Sequence, residues 1–121
     1  MITEDYVSFE TAKLLKEKGF DEEVQRSFFE NDGIYAPCDP SDVRRKDVLR
    51  IPTLQMAMKW LREIHNIVIE IIFDCTEDVS DTCWLVNIKD MKTGKCIEKL
   101  ATYTPYEEAV DATINYYLRH Y

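Results

Sequence analysis

The hydrophobic pattern of residues 53–121 changes period twice, and this change constrains the fold more than any other feature of the chain. The segment IPTLQMAMKWLREIHN repeats apolar residues at helical spacing and places five of them on one face: Leu54, Ala57, Met58, Leu61 and Ile64. Three segments follow, IVIEIIFD, TCWLVNIKD and KCIEKLA, which are β-branched or alternate apolar with polar residues and so predict strands. Helical spacing returns in PYEEAVDATINYYLRHY. The order predicts an α+β fold with helices on one face of an antiparallel meander sheet of three strands or more.

The start of the last helix is marked by TPYEEAV, residues 104–110. Thr104 is placed as the N-cap, and Pro105 suits the first helical position because it has no N–H to leave unpaired. Glu107 stands three residues after Thr104 and completes a capping box. The pattern predicts a helix that begins directly after the third strand and folds back over the sheet.

Residues 1–50 predict a helix, a hairpin and a loop ahead of this unit. Ser8 is a candidate N-cap for FETAKLLKEKG, and Gly19 a candidate left-handed stop. The apolar stretches around Asn31-Asp32-Gly33 indicate a β-hairpin. Residues 36–50 contain two prolines and mixed charge, which predicts a loop ending in a short strand at Val48 and Leu49. The whole order is α-(β-β)-α-β-β-β-α in a single domain, 1–121, with 51–121 as its α-β-β-β-α unit.

The net charge of −8 argues against two classes of partner. Phosphate backbones and anionic lipid surfaces are bound by Lys and Arg, which displace counterions, so we expect neither nucleic acid nor membrane as a partner. The start MITEDYVSFE lacks the basic and apolar regions of a leader, and no apolar run approaches the roughly 20 residues of a membrane span. These features predict a cytoplasmic protein.

The cysteines and acidic residues do not form a recognised metal motif. The four cysteines include no C-x-x-C pair, and only two histidines accompany them, so we predict free thiols and no metal or cofactor. Cys75 and Cys83 flank an acidic hairpin tip, so they are candidates to face each other across it, which would permit a disulfide only under oxidation. The tip holds four carboxylates without the spacing of a calcium loop, which favours a solvated turn: Asp74, Glu77, Asp78 and Asp81.

The chain also lacks the signature of an enzyme. His65 could serve as a base for one of the cysteines, but a histidine in a last helical turn is also favoured there by the helix dipole. No glycine-rich phosphate loop, G-x-S-x-G, HExxH or EF-hand pattern occurs in the sequence. The basic triplet Arg44-Arg45-Lys46 lies between Asp42 and Asp47 and indicates a mixed-charge loop. We therefore predict that the protein is not an enzyme.

The order α-β-β-β-α is shared with the double-stranded-RNA-binding domain. That domain needs basic residues at its second helix to meet phosphates. The corresponding helix here opens with Pro105-Tyr106-Glu107-Glu108 and carries Asp111 before any cation. The sequence thus indicates a similar order of elements without RNA binding.

Two segments, PTLQMAMKWLREIHNIVIEI and YTPYEEAVDATINYYL, resemble a family of small, acidic, uncharacterised proteins encoded in phages and mobile elements of gut Bacteroidetes. The opening MITEDYVSFETAKLLKEKGFDEE is similar to the start of those proteins, and residues 36–50 resemble them least. The resemblance implies a mobile-element origin and a cytoplasmic location. It supplies no catalytic or binding residues.

The last helix and the central helix carry more aromatic residues than one sheet face can cover. Four of them form a candidate interaction surface: Trp60, Tyr116, Tyr117 and Tyr121. Residues 1–50 could instead cover these rings. The sequence favours a non-enzymatic protein-interaction module that binds another protein or itself. The alternative is an acidic mimic of nucleic acid that occupies a DNA-binding host protein, which would require carboxylates arrayed on one surface.

Overall fold

The computed structural model describes residues 3–31, 33–38, 48–75 and 82–121. The helices are α1 (Phe9–Glu17), α2 (Leu54–Trp60), which continues into a π-helical turn (Leu61–His65), and α3 (Tyr106–His120). The strands are β1 (Ser27–Asn31), β2 (Ile34–Cys38), β3 (Val48–Arg50), β4 (Ile67–Cys75), β5 (Thr82–Asp90) and β6 (Cys96–Thr102). This confirms the predicted α+β class and the predicted order of elements.

The strands form two antiparallel sheets of three, with orders β2-β1-β3 and β4-β5-β6. In the first sheet, the predicted hairpin pairs Ser27 with Cys38 and Asn31 with Ile34. The positive φ of 79° at Gly33 suits a residue without a Cβ in the connecting turn. The short strand predicted at Val48 and Leu49 is confirmed as β3. The loop predicted over residues 36–50 is wrong for 36–38, which belong to β2, and 39–47 lie outside the described residues.

The second sheet is the predicted meander, and its β4–β5 pairing is regular. All nine residues of β4 have a partner, from Ile67 opposite Asp90 to Cys75 opposite Thr82. The β5–β6 pairing contains a register shift at Ile88/Lys89. This second sheet and the helices packed on it contain the surface considered below.

The core lies between the second sheet and helices α2 and α3. Alternate residues of the strands point to it, and the most deeply buried side chains come from all these elements: Leu61, Ile88, Val110, Ile114 and Leu118. Helix α1 adds Leu15, which is fully buried. The helices therefore cover one face of the second sheet, as the sequence predicts.

A row of polar contacts joins α1 to α3. The backbone N–H of Ser8 donates to Oδ1 of Asp111 at 2.8 Å. One turn further along α3, the side-chain N–H of Asn115 donates to the hydroxyl of Thr11 at 3.2 Å. Arg119, another turn on, forms an ion pair with Glu10. Three successive turns of α3 thus fix the position of α1, because residues four apart share a helix face.

The start of α3 corrects the predicted capping box. The helix begins at Tyr106, so Pro105 is the N-cap and no side chain caps the helix. The hydroxyl of Thr104 instead lies 2.9 Å from the hydroxyl of Thr102. By contrast, Ser8 and Thr53 accept hydrogen bonds from the backbone N–H groups three residues ahead and cap α1 and α2. The sequence motif of a cap was present at Thr104, but the chain leaves β6 in a direction that turns this hydroxyl back to the strand.

The end of the central helix corrects the predicted burial of Ile64. Its side chain is 58% exposed, although it was placed on the buried face with Leu61, which is fully buried. The π-helical turn at Leu61–His65 widens the helix by one residue and rotates the residues that follow. Asn66 then ends the turn in the left-handed conformation with φ of 56°.

Candidate interaction surface

The second sheet has an outer face, turned away from α2 and α3. It carries Val68, Glu70 and Ile72 of β4 and, directly opposite them, Lys89, Asn87 and Leu85 of β5. Side chains alternate between the two faces of a strand, so these residues point away from the core that contains Val86 and Ile88. Ile72 is 44% exposed and Leu85 is 37% exposed. The outer face therefore presents aliphatic surface to solvent.

A neutralised charge pair lies beside the aliphatic residues of the outer face. Nζ of Lys89 is 3.1 Å from the carboxylate of Glu70, and Nδ2 of Asn87 donates to the same carboxylate at 3.5 Å. The hydrogen bond from Lys89 lowers the pKa of Glu70, burial opposes it, and the bond from Asn87 adds to the lowering. Glu70 is thus held ionised and paired.

A shallow groove of about 390 Å³ crosses this face towards β6. It is lined in part by Ile72, Leu85, Asn87, Lys89, Cys96 and Lys99. Its lining combines aliphatic with polar and charged side chains, and surfaces that bind proteins have the same mixture, apolar at the centre and polar at the rim.

Strand β4 is an edge of the second sheet, and its backbone geometry can be assigned. The N–H of Met91 donates to the carbonyl of Asn66 at 2.8 Å, one position beyond the pair of Ile67 and Asp90. Hydrogen-bonded and non-hydrogen-bonded pairs alternate along an antiparallel ladder. Residues 68, 70, 72 and 74 therefore bond to β5. The N–H and C=O groups of Ile67, Ile69, Ile71 and Phe73 point to the free edge, where no described strand pairs with them.

Phe73 lies at the end of this edge on the core side of the sheet, yet it is 57% exposed. Its ring contacts Trp84 at 5.4 Å between centroids, and Trp84 contacts Tyr106 at 5.1 Å. Tyr106 is the first residue of α3, so the helix reaches Trp84 on β5 but leaves Phe73 on β4 largely uncovered. The apolar surface therefore continues around the β4 edge from the outer face.

The predicted aromatic surface is corrected by the structure. Trp60 is 6% exposed and Tyr117 is 7% exposed, so neither is available to a partner. Trp60 packs against Phe20, from the segment after α1, at 5.5 Å between ring centroids, and against His65 at 4.8 Å. The first 50 residues thus cover part of this surface, which is the alternative that the sequence left open.

Tyr116 and Tyr121 are the members of the predicted set that remain accessible. Tyr116 is half-buried and Tyr121 is 54% exposed. Both hydroxyls donate to Oε1 of Glu98 at 3.1 Å, and this bond is the main reason that the pKa of each tyrosine is raised. These rings attach the end of α3 to β6, so they serve the fold first.

His65 lies inside an aromatic group, away from the outer face. Its ring is 4.8 Å from that of Trp60 and 5.9 Å from that of Tyr117. Burial lowers the pKa of His65, and the positive charge of Lys18 lowers it further. The contacts are those of a packed aromatic residue, which is a structural role other than the helix-dipole interaction that the sequence suggested.

The predicted sites at the cysteines and the acidic tip lie only in part within the described residues. Cys83 lies opposite Asp74, and Cys75 lies opposite Thr82, so the two cysteines are not a directly opposed pair as the sequence suggested. Glu77, Asp78 and Asp81 lie outside the described residues, as do Arg44, Arg45 and Lys46. Within the described ranges, no group of three His, Cys, Asp or Glu residues could hold a metal ion.

The exposed β4 edge was missed by the sequence reasoning, although a signal for it exists. IVIEIIF is apolar at both odd and even positions, a pattern typical of strands buried on both faces. The helices cover one face of this sheet, so the apolar residues on the other face of β4 are left exposed. A surplus of apolar residues on an edge strand is the signal.

Comparison with known protein families, curated proteins and solved structures finds no match to this chain. No helix among the described residues is long and apolar enough to cross a membrane.

Proposed function

We propose that this chain is a non-enzymatic protein-interaction module, of phage or mobile-element origin, that binds protein through the outer face of the second sheet and the edge of β4. The observation that carries the proposal is the edge itself. The edge strand β4 has nine residues, most of them apolar, and it exposes Ile72 on one face of the sheet and Phe73 on the other. An exposed apolar edge of this length is a template for another strand.

The contrast between the two edges of this sheet supports the proposal. Edge strands are normally protected from pairing by lysines, prolines or bulges. Strand β6 has an exposed Lys99, and its pairing with β5 contains the register shift. Strand β4 has neither lysine nor proline, and its pairing is regular throughout. Among the described residues, the β6 edge thus has a lysine and a register shift, whereas the charges of the β4 edge are Glu70, which is paired with Lys89, and Asp74.

The test is capture of protein by the immobilised chain from an extract of its natural host, together with sedimentation of the pure protein. Leu85→Lys places a charge in the middle of the outer face and should abolish binding. Ile34→Lys is the matched control, because Ile34 is 72% exposed on the other sheet. If the unaltered chain neither captures a protein nor associates with itself, the proposed function is wrong.

A second candidate function, mimicry of nucleic acid, is favoured by one surface. Five carboxylates surround two adjoining hollows beside the start of α3: Glu4, Asp5, Glu107, Glu108 and Asp111. Binding of a DNA-binding protein there would weaken steeply with salt, whereas binding at the apolar β4 edge would not. The salt dependence of capture separates the two candidates. The acidic start of α3 also supports the proposal that this chain has the order of elements of the double-stranded-RNA-binding domain but does not bind RNA.

A further inference from the structure

We propose that a second copy of this chain is the partner at the β4 edge, and that the two β4 strands pair antiparallel about a two-fold axis at Ile71. The inference rests on the proposed function and names the occupant of the same surface. Pairing in this way would join the two three-stranded sheets into one continuous sheet, β6-β5-β4-β4-β5-β6. Each copy would offer the same surface, as a two-fold interface requires.

Backbone geometry limits the possible registers. Only the odd-numbered residues of β4 direct N–H and C=O groups to the free edge, as derived above from Met91 and Asn66. A ladder forms only when such residues face each other, so an odd-numbered residue must lie opposite an odd-numbered one. Ile71 is the middle residue of β4, which spans Ile67–Cys75. An axis at Ile71 therefore lets every residue of one strand pair with the other.

Charge separates this register from its neighbours. With the axis at Ile71, Glu70 lies opposite the partner copy's Ile72, and Val68 lies opposite the partner copy's Asp74. An axis at Glu70 would place this carboxylate opposite the partner copy's Glu70. An axis at Ile72 would place Glu70 opposite the partner copy's Asp74. Like charges directly opposite each other destabilise a strand pair. The Ile71 register avoids both conflicts.

The same register covers the apolar residues that the single copy leaves open. On the core side, Phe73 would lie opposite the partner copy's Ile69, and Ile71 would lie opposite the partner copy's Ile71. Phe73 is 57% exposed, and Ile69 and Ile71 are only partly buried in the single chain. On the outer face, the aliphatic chain of Glu70 would cover the partner copy's Ile72. The second copy thus completes both faces at the edge.

Hydrogen exchange of the unaltered protein, measured with sedimentation across a range of concentrations, tests the pairing. We expect dimers, with the amides of Ile69, Ile71 and Phe73 gaining protection as the dimer forms. The amides of Glu70 and Ile72 bond to β5 and should be protected at every concentration, so they are internal controls. A chain that stays monomeric at concentrations up to about 1 mM, where even a weak dimer would form, would overturn the proposal. Protection gained at segments other than β4 would also overturn it.

A pair of substitutions at Ile72 tests the register. In the proposed dimer, Ile72→Glu places a carboxylate opposite the partner copy's Glu70 at both symmetry-related positions. Ile72→Lys places a complementary charge at the same two positions. We expect the dissociation constant of the dimer to be about tenfold higher for Ile72→Glu than for Ile72→Lys. Both remove the same exposed isoleucine, and thermal unfolding of each monomer checks that the fold is retained. Equal dissociation constants would overturn the Ile71 register.

These outcomes distinguish this inference from the proposed function. A monomeric chain that still captures a host protein, with capture lost in Leu85→Lys, would refute the second copy as partner and leave the interaction module intact. A monomeric chain that captures nothing would refute both.

Discussion

The hydroxyl of Tyr117 lies 3.4 Å from Nδ1 of His65, although the two residues are 52 positions apart in the chain. This contact joins the end of α3 to the π-helical turn, and the ring of Trp60 packs against the same imidazole at 4.8 Å. Burial in this group lowers the pKa of His65, with Lys18 adding to the effect. The fold therefore prefers the neutral imidazole.

This preference predicts that the protein loses stability on mild acidification. The folded pKa of His65 lies below its unfolded value, so the unfolded chain binds more protons in the interval between the two. The contribution of His65 is fully present above the unfolded pKa of about 6.5 and declines as the pH falls below it. We expect the urea midpoint to decrease between about pH 7.5 and about pH 5.5, a range that lies above most carboxyl titration.

Two histidine variants assign this pH dependence. His65→Gln is neutral at every pH and should flatten the decrease of the midpoint. His120→Gln removes the other histidine of the chain, which is exposed near the end of α3, and should leave the decrease unchanged. A decrease of the same size in all three proteins would show that His65 is not its source.

The π-helical turn predicts opposite outcomes for two residues of the same predicted helix face. Leu61 is fully buried, so Leu61→Ala should lower the free energy of unfolding by about 2–5 kcal/mol. Ile64 is 58% exposed, so Ile64→Ala should cost less than about 1 kcal/mol. Chemical denaturation of both variants measures the difference. Equal losses would favour the regular helix that the sequence predicts, with Ile64 buried.

The elements predicted well are those in which a hydrophobic period runs over many residues. The meander and all three helices follow from such periods, because burial of one face determines them. Ile64 was misplaced because the period alone does not report a one-residue widening of the helix. Trp60 and Tyr117 were misplaced because the packing of Phe20 and His65 against them depends on tertiary contacts between distant segments.

The open edge of β4 was missed for a related reason. The sequence shows that a strand is apolar on both faces, but it does not show how many strands the sheet contains. Only the strand order β4-β5-β6 makes Ile72 and Phe73 residues of an edge. The candidate surface therefore depends on the order of strands in the sheet, whereas most of the core can be predicted from the hydrophobic pattern of the sequence.

Ser8, Thr53 and Thr104, which lie at or near the starts of the three helices, predict a graded series of alanine variants. The hydroxyl of Thr53 accepts from the N–H of Met56 at 3.1 Å, and that of Ser8 accepts from the N–H of Thr11 at 3.2 Å. Thr53→Ala and Ser8→Ala should each lower the free energy of unfolding by about 1 kcal/mol. Thr104→Ala should change it by less than about 0.5 kcal/mol, because α3 has no side-chain cap. Denaturation midpoints give the comparison, and a loss at Thr104 equal to that at Thr53 would restore the capping box.

The link between Asp111 and α1 predicts an ordered pair of substitutions. Oδ1 of Asp111 accepts the backbone N–H of Ser8, the N-cap of α1, at 2.8 Å. Asp111→Ala removes the acceptor and should lower the free energy of unfolding by about 1 kcal/mol. Asp111→Asn keeps an acceptor oxygen but loses the negative charge near the positive end of α1, which is worth about 0.3–1 kcal/mol. We therefore expect stability to decrease from the unaltered chain to Asp111→Asn and then to Asp111→Ala. Hydrogen exchange at the Ser8 amide should quicken most in Asp111→Ala, and an unchanged exchange rate there would show that the contact does not hold α1 against α3.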